Sequence, residues 1–394
     1  MKLTLELANE FFRGFYIERW NDIIRPMPFY EIDKHGHKLI IAYCIAKYEE
    51  NKGNKIEWET IIKDSVFELL RRIIISDIKS PIYQEIRKEQ QVFHHLNEYV
   101  FKKLENKFGD ETLKNDFKLF LDSSNDRTSL THQVIDAAHT YASYWEFRIV
   151  EATNPFTYQN EKTKWELTKR VAPYLHLEGI SRLLSNFSIT NFIDLCGQLR
   201  FQIRWSQTPR VPKTSVLGHV MLVAVFTYLL SLDVTSCEKR IYNNFFGGIF
   251  HDLPETVTRD IISPVKKSSP ELDSLISHIE KKLTEKEIYP YLDEKWIDEI
   301  KYFTQDEFKN KIIDDGTTKF VTIDEINKQY DHSDFSPYDG EIVRFADHFS
   351  AYLEATNSIK SGIKSDELII AANDLKEFYL DKKICDLDIS VLFK

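Results

Sequence analysis

The sequence contains little glycine and proline. Only 12 residues of each occur among 394, and these two residue types usually mark the turns of β proteins. Hydrophobic residues make up 42% of the chain and aromatic residues 13%. Long helices are therefore favoured over a turn-rich β architecture, and the sequence predicts an all-α protein.

Cysteine is scarce and scattered. The four cysteines are Cys44, Cys196, Cys237 and Cys385, and no two of them form a CxxC pair. This spacing indicates neither a zinc knuckle nor a disulfide framework. We expect reduced thiols.

The chain also lacks an excess of basic residues. It has 62 acidic against 52 basic side chains and a net charge of -10, which argues against broad binding to a polymeric nucleic acid or to an anionic membrane. A small anionic ligand in a local basic pocket remains compatible with this charge.

No targeting or membrane segment is expected. Glu6 and Glu10 interrupt the stretch where a signal peptide would need an unbroken apolar region, and we find no later stretch of about 18 apolar residues. The sequence therefore predicts a soluble, cytoplasmic protein.

Apolar residues recur at helical spacing along much of the chain. The runs cover 39–46, 61–75, 135–150, 190–204, 216–232, 241–251 and 341–355. At 394 residues the chain is long for one domain. We predict two tandem helical bundles, 1–180 and 181–394, with their boundary near residue 180.

A His-Asp pair, His251-Asp252, stands at the end of one apolar run. Neighbouring residues of a helix point about 100° apart, so both can reach one ion only near the end or flank of that helix. Pro254 disfavours continued helix and predicts the break that this geometry needs. With His219 upstream and Asp347 downstream, the chain offers four ligands that suit Mn, Fe, Co, Ni or Zn better than Ca.

Other residues around these four carry a family resemblance. They are Arg204-Trp205 before His219, Glu255 and Asp260 after the pair, Ser263-Pro264-Val265-Lys266, and Ala346-Asp347 followed by Ala351-Tyr352-Leu353-Glu354. In this pattern, residues 195–370 resemble the HD superfamily of metal-dependent phosphohydrolases. Within it they are similar to the bacterial YfbR-like 5′-deoxynucleotidases.

The resemblance implies a role for each residue. The implied metal ligands are His219, His251, Asp252 and Asp347, and the metal is one divalent ion, namely Mn, Co, Fe, Ni, Zn or Mg. Glu255 would be a general acid or base, and Asp260 would bind a sugar hydroxyl or orient water. Arg204 and Lys266 would hold phosphate oxygens, and Trp205 would pack against the sugar or base.

The chain departs from the family pattern in two places. Gly218 precedes His219 where the family usually has an acidic residue. The stretch between Asp252 and Asp347 is longer than in a compact member and includes the polar segments 305–309 and 331–335. We expect this insertion to reshape the mouth of the pocket.

The first half repeats several features of the second in the same order. Arg19-Trp20 precedes Gly36-His37 as Arg204-Trp205 precedes Gly218-His219, and the segment 76–81 parallels 259–264. Glu68-Leu69 then stands opposite His251-Asp252, and His139 stands opposite Asp347.

These parallels predict a degenerate, non-catalytic first copy, and a chain that is a monomeric pseudo-dimer or a homodimer. The alternatives are chance similarity between two helical halves and weak metal binding by His37, Glu68 and His139.

The leading functional hypothesis is metal-dependent hydrolysis of a deoxyribonucleoside 5′-monophosphate, so the expected partner is a small-molecule nucleotide substrate. One alternative substrate is a nucleoside triphosphate or signalling nucleotide. The other alternative is a non-catalytic, nucleotide-binding regulator.

Overall fold

The computed structural model describes residues 1–76, 78–123, 127–154, 157–259, 261 and 269–394. Helices dominate this part of the chain, and the strands form only short antiparallel pairs. The predicted all-α class is confirmed.

The first half of the chain is a set of helices around two long central ones. They are α1 (Leu5–Phe12), α2 (Glu31–Asn51), α3 (Trp58–Ile75), α4 (Ser80–Lys88), α5 (Gln90–Leu104), α6 (Glu111–Ser123), α7 (Leu130–Thr153), α8 (Tyr158–Val171) and α9 (Glu178–Leu184). A two-residue pair, β1 (Glu18–Arg19) with β2 (Phe29–Tyr30), precedes α2.

The second half is also built mainly of helices. Its helices are α10 (Ser188–Gln198), α11 (Val216–Val234), α12 (Glu238–Phe250), α13 (Glu255–Thr258), α14 (Pro270–Glu287), α15 (Glu294–Thr304), α16 (Ile323–Glu325), α17 (Gly340–Lys360) and α18 (Asp366–Tyr379). Two hairpins, β3 (Lys311–Asp314) with β4 (Thr317–Phe320) and β5 (Lys383–Ile384) with β6 (Leu387–Asp388), complete it.

The predicted helical runs lie inside observed helices, with one exception. The run 190–204 ends early, because α10 stops at Gln198 and a single 3-10 turn follows it. Ile203 then bridges to Ser215 in extended conformation. This departure from helix brings Arg204 and Trp205 back towards α17, where their partner Glu354 lies.

Helix α11 is the central element of the second half. It is long and apolar enough, by length and composition alone, to cross a membrane, and the expectation that no such stretch exists is wrong. However, 89% of its most apolar stretch is buried inside the protein. Neighbouring helices surround α11 and account for its composition, since a helix that is hydrophobic on all sides is typical of a protein core.

The main hydrophobic core extends through both halves. Helix α2 packs along α11, and each contributes a glycine at the contact. A Cβ atom on Gly36 would lie 2.9 Å from the Leu217 carbonyl oxygen, and one on Gly218 would lie 2.9 Å from Oδ1 of Asp33 on α2. Residue 180 falls within α9, which packs on α2, and the boundary there stays a prediction.

A buried ion pair joins α12 to the start of α17. Arg240 donates from Nε and Nη2 to the two carboxylate oxygens of Asp339, at 2.7 and 2.8 Å, and both residues are fully buried. Asn244 donates to the same carboxylate at 2.7 Å. These bonds fix the register between the helix that ends at His251 and the helix that carries Asp347.

We expect Asp339→Asn to lower the free energy of unfolding by about 3 kcal/mol, because it leaves a buried guanidinium without its bidentate carboxylate. This loss is at the low end of the range for breaking a buried ion pair, because a second carboxylate, that of Asp331, lies 3.3 Å from Nη1 of Arg240 and still offsets part of its charge. Urea denaturation measures the change. Asp334→Asn is the matched control, because that carboxylate is exposed and pairs with exposed His332. Equal stability of the two variants would contradict the prediction.

Candidate metal centre

The His-Asp pair lies where α12 ends, as predicted. The last helical residue is Phe250, His251 is the C-cap, and a turn follows. Gly248 lets α12 approach α11 closely, since a Cβ atom there would lie 2.8 Å from Cα of Ala224. The close approach brings His251 next to His219 on α11, with their ring centroids 5.6 Å apart.

The structure brings together the four residues that were predicted to hold a metal. Nε2 of His219 lies 3.0 Å from Oδ1 of Asp347 and 3.7 Å from Oδ2 of Asp252. Nε2 of His251 lies 3.2 Å from Oδ2 of Asp252. Ligand atoms of His219, His251 and Asp347 all lie within 4.8 Å of one another. Adjacent ligands of an octahedral ion at about 2.1 Å are separated by about 3 Å, which matches these contacts.

The two imidazole rings are oriented by their second nitrogens. Nδ1 of His251 lies 2.9 Å from the Gly248 carbonyl oxygen, to which it can only donate, so Nε2 carries the lone pair when the ring is neutral. Nδ1 of His219 lies 3.0 Å from the Ser350 hydroxyl. Each Nε2 is buried and lies beside a carboxylate oxygen, that of Asp347 for His219 and that of Asp252 for His251. Rings held in this way are the usual arrangement for histidine ligands of a metal.

The electrostatics of the cluster favour positive charge. Burial alone would raise the pKa of Asp252 and Asp347, but the neighbouring histidines and Arg204 outweigh it. The pKa of Asp252 falls to about 2, and that of Asp347 falls well below its usual range. Burial likewise opposes charge on His251, yet Asp252 and Asp347 raise its pKa to about 9. The same field would attract a cation.

One face of α17 contributes more to the site than the sequence analysis recognised. Residues 344, 347, 350 and 354 follow at helical spacing, so they share a face. Arg344 lines the neighbouring cavity, Ser350 orients His219, and Glu354 is fully buried beside them. In the sequence, helical spacing from Asp347 was the signal that would have identified Arg344, Ser350 and Glu354.

Glu354 anchors the predicted substrate-binding pair. Its carboxylate accepts from Nε1 of Trp205 at 2.6 Å and lies 3.2 Å from Nε of Arg204. Nη1 of Arg204 is also 3.9 Å from Oδ2 of Asp252, which places the guanidinium beside the metal cluster. The other two predicted residues, Asp260 and Lys266, lie outside the described residues.

A cavity of about 470 Å³ opens next to the cluster and is lined by His251, Asp252 and Glu255. Glu255 is nine-tenths buried, and its carbonyl oxygen accepts a hydrogen bond from Gln202. The polar segment 305–309 also lines this cavity, as expected of an insertion at the pocket mouth. It includes Glu307, whose pKa is raised by burial.

The second polar segment, 331–335, is not part of that mouth. Asp331 pairs with Arg240 and accepts a hydrogen bond from Thr235, near the first turn of α12 and far from His251 at the last. These contacts hold segment 331–335 at the opposite end of the helix, so of the two polar segments only 305–309 lines the cavity among the described residues.

Gly218, the departure from the family pattern, lies against the first half of the chain. The space that a side chain would occupy there is filled by the Phe15 ring and by the carboxylate of Asp33, 2.9 Å from the position of a Cβ atom. An acidic side chain at residue 218 would therefore clash with α2.

Comparison with known proteins agrees with this geometry. Residues 196–376 match the family model described as HD domain. The match supports assigning this segment to the HD-domain phosphohydrolase superfamily, whose members are generally metal-dependent hydrolases. No curated protein and no solved structure matches the chain. The segment 196–376 contains all four clustered residues, and we refer to it as the HD segment.

The first half contains a related arrangement that lacks these ligands. Arg19 and Trp20 donate to buried Glu146 at 3.0 and 2.8 Å, as Arg204 and Trp205 contact Glu354. Both tryptophans have positive φ, 56° and 54°. Nζ of Lys34 lies 2.9 Å from Nε2 of His139, where the HD segment has His219 beside Asp347.

The predicted equivalence of His37 with His219 is wrong by one helical turn. Lys34 follows Trp20 by 14 residues, as His219 follows Trp205. His37 instead places its ring edge-on to Trp145, with Nε2 3.0 Å from the Ile193 carbonyl oxygen. His37, Glu68 and His139 do not converge, because the matching glycines mark helix packing rather than the ligand position.

We expect His219→Ala and Asp347→Asn to lower the affinity for Mn²⁺ at least tenfold, since each removes one ligand from the cluster. Ser350→Ala should lower it by about tenfold through loss of ring orientation. Equilibrium dialysis with metal analysis measures bound ion. His332→Ala is the control, because that histidine is exposed and distant from the cluster. Unchanged affinity in both ligand variants would place the metal elsewhere.

Proposed function

We propose that the chain is a divalent-metal-dependent phosphohydrolase that releases phosphate from a deoxyribonucleoside 5′-monophosphate. The observation that carries the proposal is the convergence of two buried Nε2 atoms and two carboxylates beside a cavity lined by Glu255. Phosphohydrolase chemistry in general rests on the HD segment, and the nucleotide substrate rests on the resemblance to the YfbR-like enzymes.

The clustered residues fit a metal ion. Each buried Nε2 lies 3.0 or 3.2 Å from a carboxylate oxygen, and a set of imidazole and carboxylate groups this close together suits a shared divalent cation. His219, His251, Asp252 and Asp347 would hold the ion. A divalent cation in such a site acts as a Lewis acid towards a phosphoryl oxygen and lowers the pKa of water.

The residues around the ligands supply the remaining functions. Glu255 faces the cavity on the turn after Asp252, so its carboxyl group would transfer a proton to the leaving oxygen or take one from water. Arg204 carries a planar guanidinium next to Asp252 and would hold the phosphate oxygens. Its bond to Glu354 fixes the direction in which it points.

Support for the sugar comes from Trp205. Its indole nitrogen is fixed by Glu354, which holds the ring rigidly beside Arg204. A rigid aromatic face next to a phosphate-binding group suits packing against deoxyribose. The cavity of about 470 Å³ lies in the range of about 300 to 1,000 Å³ that is common for small-molecule sites.

A longer phosphate chain is the second candidate substrate. The cavity lining includes Lys281, Lys309 and Arg344 on three different elements, and these cations would accommodate the additional charge of a nucleoside triphosphate or a signalling nucleotide. A non-catalytic nucleotide-binding regulator is the third candidate.

We further propose that the two halves are an internal duplication that folds as a pseudo-dimer in the cytoplasm. The paired Arg-Trp contacts to Glu146 and Glu354, and the continuous core between α2 and α11, support it.

We expect Glu255→Gln to lower kcat at least a hundredfold while Mn²⁺ binding is retained, because the change removes proton transfer and keeps the shape of the side chain. Phosphate release is measured on deoxyribonucleotides, ribonucleotides and triphosphates with Mn²⁺, Co²⁺, Mg²⁺ or Zn²⁺. Glu280→Gln, on the same cavity wall but on α14, is the control and should retain most activity.

Each result of this panel discriminates between the candidates. Preference for deoxyribonucleoside monophosphates supports the leading proposal, and preference for triphosphates supports the second. If no phosphate is released from any nucleotide with any metal, and Asp252→Ala behaves like the parent, both enzyme candidates fail. The non-catalytic regulator would then be the remaining candidate.

A further inference from the structure

A second cavity, of about 410 Å³, lies within the first half of the chain. It is formed by residues of α2, α3, α4, α7 and α8 and is bordered by Lys34 and His139, the pair that stands where the HD segment has His219 and Asp347. We call it the first-half cavity. No described residue of the HD segment lines it, and the proposed reaction does not use it.

The first-half cavity is strongly basic. Nine lysine or arginine residues line it, against three aspartate or glutamate residues. The cavity beside the metal cluster has the opposite balance, with three cationic and five acidic residues. In a chain with a net charge of -10, such a concentration of positive charge in one concave site indicates an anionic ligand.

Several of these polar groups are buried without full use of their hydrogen-bonding capacity. Lys38 is 1% exposed, and no described carboxylate lies within 4.0 Å of its ammonium group. Nε and Nη1 of Arg71 and the hydroxyl of Tyr83 are buried and make no hydrogen bond to a described residue. Unsatisfied buried donors are costly, and a ligand with several acceptor oxygens would satisfy them.

The arrangement is suited to binding rather than to metal chemistry. Lys34 stands where the HD segment has a histidine, and Glu68 accepts a hydrogen bond from Arg71. A lysine ammonium has no lone pair for a metal, whereas lysine and arginine are the usual partners of phosphate. Burial is the largest cause of the lowered pKa of Lys34 and Lys38. A bound anion would stabilise the charged forms of both lysines.

We propose that the first-half cavity binds a small phosphorylated molecule with at least two negative charges, and does not hydrolyse it. The phosphate oxygens would be held by Lys38, Arg71 and Arg72, and the cavity is large enough for an organic group beside them. Binding at this site needs no divalent metal and is independent of the function proposed for the HD segment.

Isothermal titration calorimetry on the full chain tests the proposal, with EDTA present to suppress the metal-dependent site. The probes are inorganic phosphate, a nucleoside monophosphate, a nucleoside triphosphate and an unphosphorylated nucleoside. We expect one equivalent of a phosphorylated probe to bind, and the nucleoside not to bind. The Asp252→Asn variant should bind equally well, because its change lies in the other cavity.

Two substitutions locate the binding. Lys38→Met should weaken it at least tenfold, and Lys169→Glu, at an exposed position on the cavity wall, should weaken it at least fivefold without affecting the core. Lys162→Glu is the matched control on α8, since it is exposed and does not line the cavity. Phosphate release by the HD segment should persist in all three variants.

The proposal is overturned if no phosphorylated probe binds in EDTA, or if Asp252→Asn abolishes the binding. It is also overturned if Lys169→Glu and Lys162→Glu bind with the parent affinity. Should Lys38→Met fail to fold, as judged by circular dichroism, the Lys169 and Lys162 pair decides the question.

Discussion

The architecture of the site depends on a buried carboxylate that cannot remain charged without partners. Glu354 is fully buried on α17, and burial alone would raise its pKa, but Arg204, Arg210 and His219 lower it. A charge in such surroundings must be paired and hydrogen-bonded. Glu354 therefore holds the non-helical segment that follows α10, and its helix presents Asp347 two turns away. The substrate-binding candidates and the metal ligands share this one support.

The same support, Glu146 with Arg19 and Trp20, occurs in the first half, while the groups around it differ. In the HD segment the polar groups facing the centre are imidazoles and carboxylates, which attract a cation. In the first half, the corresponding groups are Lys34, Lys38 one turn later and the arginines of α3. These groups attract an anion instead of a cation. The same buried glutamate with its Arg-Trp partners can thus accompany a cation site or an anion site, because the sign of the bound charge depends on the other side chains around it.

The sequence allowed most of the fold to be predicted, since apolar periodicity reports which helix faces are buried. It also singled out His219, His251, Asp252 and Asp347 as one set through their order and the family resemblance, and the structure brings these four residues together. It could not identify Lys34 as the counterpart of His219. The matching glycines, Gly36 and Gly218, reflect the packing of α2 against α11, and only tertiary contacts reveal that this feature lies a turn away from the ligand position. The charge of the first-half cavity was hidden for the same reason, since its lysines and arginines come from four helices, from β1 and from the segment before α7.

One turn of α2 connects the two centres physically. Lys34 lines the first-half cavity, and its neighbour Asp33 accepts a hydrogen bond from the hydroxyl of Ser215, the residue that caps α11 four positions before His219. Asp33 is buried, and burial raises the pKa of its carboxyl group to about 7. An anion bound beside Lys34 would act on this group through its charge. The anion would change the affinity of the HD segment for metal only if it bound more tightly to one arrangement of this turn than to another. By linkage, the metal would then change the affinity for the anion by the same factor.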